Sequence, residues 1–249
     1  MKLIHRHILS LFFVFSFCIA PASAIVKIMP LGNSITWDWY YGDSRPDAYR
    51  SGYRSHLWYK LKNAGFDVDF VGTRHNGGSV SPPYDGDNEG YTGWTTYQIA
   101  NRVYTLLNIN TPDIILLHIG TNDSAYYSPA DGVAGVEQIL DEVDRFENNK
   151  HKNIKVILAK IVNLRKNLSW VNSFNQLLGT MVRQRKSNGD DVVLVDMQNT
   201  VGWNLVDGIH PTTQGYKLMA TEWFSVLKPV LSQANYAYLI AAYNMLLNE

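Results

Sequence analysis

DIILLHIGTND, residues 113–123, decides how the rest of this chain is read. It starts at an aspartate, runs through four aliphatic residues, and ends in a small polar turn after Ile119. A run this apolar and this short suits a strand covered on both faces, as in a parallel sheet between helices. Similar runs fall at 25–29, 67–71, 154–161 and 192–196. Between them, segments of helical period occupy 53–63, 96–107, 129–148, 170–187 and 212–231. Strand and helix therefore alternate, which predicts an α/β domain with five parallel strands. Ser128, Pro129 and Asp131 signal the start of one helix, and Gly65 follows the end of another.

At the N-terminus, Lys2 and Arg6 precede an apolar run over 8–20 and the small residues Ala22, Ser23 and Ala24. That order predicts a signal peptide over 1–24 and an exported protein, extracellular or periplasmic. The apolar core of the leader is short for a bilayer, and no later stretch approaches the roughly 20 apolar residues of a spanning helix. Of the 249 residues, 25–249 remain, a length one domain fills without a second core. Residues 232–249 are expected to add a C-terminal helix docked on that domain.

The one cysteine, Cys18, lies in the leader, so cysteine chemistry and disulfides are excluded from the mature chain. Lys and Arg total 22, as do Asp and Glu, and the leader holds two of the basic residues. The mature balance is slightly acidic, which argues against a nucleic-acid partner. Aromatic residues crowd into connecting segments: Trp37, Trp39, Tyr40, Tyr41, Tyr84, Tyr91, Trp94 and Tyr97. Rings placed there suit stacking on sugar faces, and Trp37, Trp94 and Tyr91 are the candidate substrate-binding residues. The loop over 72–95 is long enough to be functional. Within it YDGDNEG, 84–90, begins like a calcium loop but has Thr96 where a bidentate Glu is needed, so no metal is expected.

The polar motifs gather where a parallel sheet binds ligands, after the carboxyl ends of its strands. IMPLGNSITW, 28–37, leaves Ser34 just after the first strand, either as a nucleophile or as a helix cap. GYTGWT, 90–95, offers the Gly93 amide, and Asn122 in GTND offers a side-chain amide, both donors of the kind that stabilise an oxyanion. VDGIHP, 206–211, sets Asp207 three residues before His210, near enough to hold the imidazole in one tautomer. Each motif alone has an ordinary structural explanation as a turn, a cap or a loop glycine. Their number and order carry the functional reading.

Taken together, PLGNSIT, TGWT, GTND and DGIH resemble the SGNH hydrolase, or GDSL esterase, superfamily from about Val26 to Gly215. IMPLGNSITW, NEGYTGWT and LLHIGTND are further similar to the acetyl xylan esterases of carbohydrate esterase family three. The resemblance implies a three-layer α/β/α flavodoxin-like fold, a Ser34 nucleophile, a His210 base oriented by Asp207, and an oxyanion hole from Ser34, Gly93 and Asn122. It implies no cofactor. The expected substrate is an acetylated polysaccharide or oligosaccharide, and the expected state a monomer free of the membrane once the leader is removed. A lipase or lysophospholipase is the alternative enzyme, and a non-catalytic carbohydrate-binding protein on the same scaffold the alternative outside enzymes. Asn33 departs from the family's commonest pattern, which has Asp there.

Overall fold

A computed structural model describes the backbone of residues 25–247 and the side chains of 25–233. The leader expected over 1–24 lies outside the described residues.

Five parallel strands form the centre of the sheet: β1 (Val26–Gly32), β2 (Val68–Phe70), and three further strands at Ile114–His118, Lys155–Lys160 and Val192–Asp196. A short antiparallel pair within the 72–95 segment, β3 (Arg74–His75) and β4 (Asp87–Gly90), extends the sheet. The three later strands are accordingly β5, β6 and β7. Along the sheet β5 pairs with β1, β6 with β5 and β7 with β6, all parallel. The other edge of β1 is divided. Val26–Ile28 pairs with β2, whereas Leu31 and Gly32 pair with Glu89 and Gly90 of β4.

Alternation along the strands sends side chains to two cores. Met29, Leu31, Ile115 and Leu117 face one side, beneath α3 (Thr96–Asn110), α4 (Pro129–Lys150) and α5 (Leu168–Ser187). Ile28, Ile114, Leu116 and Ile157 face the other, beneath α2 (Gly52–Asn63) and α7 (Thr213–Leu247). Two short helices, α1 (Ser34–Trp37) and α6 (Met197–Val201), complete the set named here. The result is the three-layer α/β/α arrangement, with a sheet that is mixed because of β3. The helix starts follow local chemistry: Ser128 accepts the Asp131 amide with Pro129 in the first turn, and Thr95 with Gln98 closes a capping box on α3.

Two features differ from the sequence reading. The 72–95 segment is a pairing element as well as a loop, and polar side chains hold it. Glu89 is fully buried, accepting from the Thr73 amide at 2.6 Å, the Tyr91 hydroxyl at 2.7 Å and Asn110 Nδ2 at 2.8 Å. Moreover, α7 is one helix continuing to Leu247, with Pro229 inside it, where a break was expected after 231. No helix among the described residues is long and apolar enough to cross a membrane.

Candidate active site

The carboxyl end of β1 is built for close approach. A Cβ on Gly32 would lie 2.3 Å from the His118 carbonyl oxygen on β5, so only glycine lets the two strands meet there. The chain then turns through Asn33, whose Oδ1 accepts the Ile35 amide at 3.1 Å, and Ser34 becomes the first residue of α1. Ser34 is thus both cap-proximal and available: its hydroxyl points out of the turn to His210. The first amides of a helix have no intrahelical acceptor, which leaves the Ser34 N–H unclaimed by α1.

Ser34 Oγ lies 2.9 Å from His210 Nε2. On the opposite edge of the ring, His210 Nδ1 is 2.8 Å from Asp207 Oδ2. Asp207 Oδ1 accepts the amides of Ile209 at 2.9 Å and of His210 at 2.8 Å, so the loop that presents the histidine is folded around its partner. Partial burial pushes the Asp207 carboxyl up, but these amides and the His210 ring outweigh it and hold the group below its ordinary value. A carboxylate on Nδ1 keeps that nitrogen protonated and leaves Nε2 free to take the proton of a serine hydroxyl. Ser34 and His210 are both nearly buried.

Gly93 and Asn122 line one cavity with Asp207. Gly93 has φ +81°, a left-handed conformation with open space around its Cα. Asn122 follows β5 in a short 3-10 turn and donates from Nδ2 to the Trp94 carbonyl at 2.8 Å. An amide nitrogen carries two hydrogens, so this bond fixes the Asn122 side chain and still leaves one donor. Neighbouring Asp123 is buried and reaches across to α3, accepting from Thr96 Oγ1 at 2.6 Å and from the Thr96 amide. Burial pushes the Asp123 carboxyl up against the lowering effect of those bonds.

The three candidate substrate-binding aromatics occupy a different place from that cavity. Trp37 is buried, and the Arg74 guanidinium lies 4.0 Å from its ring centroid and 5.2 Å from that of Tyr91. Tyr91 in turn stacks on Trp94 at 4.1 Å and 16°. Trp37, Arg74, Tyr91 and Trp94 therefore form one column joining the end of α1 to the loop that carries Gly93. Arg74 also donates to the Gly90 carbonyl at 2.5 Å. None of the three aromatics lines the cavity beside Asp207. Sequence reasoning missed Arg74, because nothing local marks an arginine as the filling between rings 37 and 17 residues away.

Arg54 was also missed. It is fully buried in α2 and donates to the carbonyls of Thr36 and Gly86 at 2.9 Å, and to Asn76 Oδ1 at 2.5 Å. Asn76 passes the tie on to the Trp37 carbonyl at 2.7 Å. A charge with that many backbone acceptors locks the Ser34 turn against the hairpin. A hint was available in the helical spacing that puts Arg54 on the same face as the buried Leu57 and Leu61. The described residues contain no group of three or more His, Cys, Asp or Glu side chains that could hold a metal ion.

Residues 28–223 match the GDSL-like Lipase/Acylhydrolase family. The chain belongs to that family. The "Multidomain esterase" of Ruminococcus flavefaciens is 31% identical over 248 residues, covering 87% of this chain and 30% of that protein. This chain thus spans less than a third of that relative. A carbohydrate esterase family 3 structure from Talaromyces cellulolyticus matches with a TM-score of 0.71 and 26% identity, over 84% of this chain and 99% of that one. A Clostridium thermocellum family 3 carbohydrate esterase matches at 0.69 and 28%, over 85% and 99%.

Proposed function

We propose that this chain is an exported polysaccharide acetylesterase, released from a leader over 1–24, working through Ser34, His210 and Asp207. Ser34 Oγ attacks the ester carbonyl carbon while His210 Nε2 takes the hydroxyl proton, and Asp207 stabilises the resulting imidazolium. The carbonyl oxygen becomes an oxyanion and is met by the Ser34 and Gly93 amides and the Asn122 side chain. As the tetrahedral intermediate collapses, the bond to the sugar oxygen breaks and His210 returns its proton to that oxygen. Water, deprotonated by the same imidazole, then cleaves the acetyl-serine, releasing acetate and restoring Ser34.

The observation that carries this reading is the unbroken hydrogen-bonded run from Ser34 Oγ through His210 to Asp207. A sugar ester suits the adjoining cavity better than a lipid does. Its walls set Asn122, Ser124, Arg165, Lys166 and Asn167 among the apolar Ala125, Tyr126, Leu164 and Ile209, which gives a sugar ester polar partners beside its acetyl group. Neighbours described as carbohydrate esterases support the same choice.

Ser34→Ala is the direct test. It should abolish hydrolysis of an aryl acetate while leaving the thermal unfolding midpoint within a few degrees. Full activity in the variant would exclude the assignment. Rates across aryl esters from acetate to octanoate should fall with chain length, and acetate should be released from acetylated polysaccharide; preference for octanoate would point to a lipase instead.

A further inference from the structure

The cavity beside Asp207, about 390 Å³ in volume, carries a charge pattern that ester hydrolysis leaves unused. Opposite the oxyanion residues, the connection from β6 to α5 contributes Arg165 and Lys166 to its lining. The Arg165 amide donates to the Gly208 carbonyl at 2.8 Å, which fastens this connection to the loop bearing Asp207 and His210. The Arg165 side chain lies along Gly208: a Cβ there would come within 2.9 Å of Arg165 Cβ and 3.5 Å of its Cδ. Its stem therefore lies against Gly208, while Arg165, like Lys166, is exposed to solvent.

Neither cation has a carboxylate partner among the described residues. Among the other arginines, Arg45 and Arg50 each pair with two aspartates, Arg185 with three and Arg145 with Glu142, while Arg54 and Arg74 are held by carbonyl oxygens and aromatic rings. Among the described residues Asp207 is the sole carboxylate lining this cavity, and its oxygens are taken by His210 and two amides. Two adjacent cations thus face an esterase cavity with nothing of opposite sign to answer them. Recognition of neutral sugar hydroxyls needs only amides, hydroxyls and rings. A guanidinium fork beside an ammonium is matched instead by a carboxylate.

We propose that the acetylated glycan is anionic, a chain bearing uronic acid residues, and that Arg165 and Lys166 bind the carboxylate of a sugar close to the one carrying the ester. This rests on the polysaccharide acetylesterase reading and names the substrate class within it.

The test measures kcat/KM for acetate release from an acetylated oligogalacturonate and from a neutral acetylated xylooligosaccharide of similar length. An aryl acetate is run in parallel. Wild type should favour the anionic substrate, and the Arg165→Gln, Lys166→Gln double variant should lower the anionic-to-neutral ratio about tenfold, chiefly through KM. In wild type the same ratio should fall as salt rises to about 0.5 M, since exposed charge pairs are screened. That arm does not depend on a variant folding. A wild type active on aryl acetate that shows no anionic preference, or a ratio unmoved by both the variant and salt, overturns this inference and leaves acetylesterase activity standing. A wild type inactive on all three substrates removes the acetylesterase reading, and this inference with it.

Discussion

Asp207→Asn separates what the carboxylate does for the histidine from what it does for the loop. Oδ1 accepts two backbone amides, and Oδ2 accepts the imidazole proton. Asparagine has one oxygen for these two jobs. If that oxygen stays on the amides, the new NH2 faces Nδ1 and forces the ring to carry its proton on Nε2, where at 2.9 Å it donates to Ser34 Oγ instead of accepting from it. If the side chain turns over, the NH2 meets two amide N–H groups and strands them, at about 1–3 kcal/mol each. The first arrangement is the cheaper, so the variant should fold with the wrong tautomer. The loss expected from a reversed tautomer is about 10⁴-fold in kcat, or about 5.5 kcal/mol of transition-state stabilisation. Steady-state hydrolysis of an aryl acetate measures it, with the thermal unfolding midpoint as a control for folding. A folded variant that loses less than tenfold would refute the relay through His210.

Removing the Asn122 side chain as Asn122→Ala should cost about 10²–10³ in kcat with little change in KM, because its free hydrogen is used only when the oxyanion forms; an equal loss in both parameters would assign Asn122 to ground-state binding. Arg74→Ala empties the space between Trp37 and Tyr91, and should lower kcat at least tenfold while destabilising the fold by about 1–2 kcal/mol, read from the denaturant midpoint. Unchanged kcat would mean that the aromatic column does not position the Gly93 loop. His118 is fully buried, both ring nitrogens lack partners among the described residues, and burial lowers its pKa to about 4. The unfolded chain therefore binds the extra proton first, and stability falls as pH drops from about 6.5, the unperturbed value, towards 4. His118→Leu should remove up to about 3 kcal/mol of that acid loss at little cost near neutrality; urea unfolding at several pH values checks it, and an unaltered pH slope would locate the acid sensitivity elsewhere.

The parts of the molecule legible in sequence are those specified by short-range pattern. β5 declares itself through Ile114–Leu117, apolar because helices cover both faces; Asp207 and His210, three residues apart in one turn, read alone as an ordinary turn and gain meaning only beside the other motifs. Ser34 is legible only in company, since a cap and a nucleophile use the same residue at the same place. The β3–β4 pair stayed hidden because its stability is polar: Glu89 and Asn88 are buried by hydrogen bonds to residues that no periodicity connects. The aromatic column illustrates the same limit. Ring density near residues 37 and 91–94 is plain in the sequence and suggests ligand stacking; that the hairpin also sets Arg74 between Trp37 and Tyr91 is announced by no local pattern.

Asn33 shows how charge is rationed at this site. It is fully buried, and its Oδ1 shapes the turn that presents Ser34, while Nδ2 has no partner among the described residues. Aspartate would make the same bond to the Ile35 amide, but would leave its second oxygen, with a share of a full charge, where Nδ2 now sits undonated. Burying an unpaired charge costs far more than the roughly 1–3 kcal/mol of an orphaned amide. It would also set a negative charge one residue from the amide proposed to meet the oxyanion, opposing the charge that develops there. With an amide at 33, the turn keeps its geometry and stays neutral. In the proposed mechanism Asp207 acts from the far edge of the imidazole, where its charge favours the protonated ring without reaching the oxyanion directly. Geometry at the strand end and charge at the histidine are thus supplied by different residues, which is why replacing Asp by Asn at 33 is compatible with an intact relay.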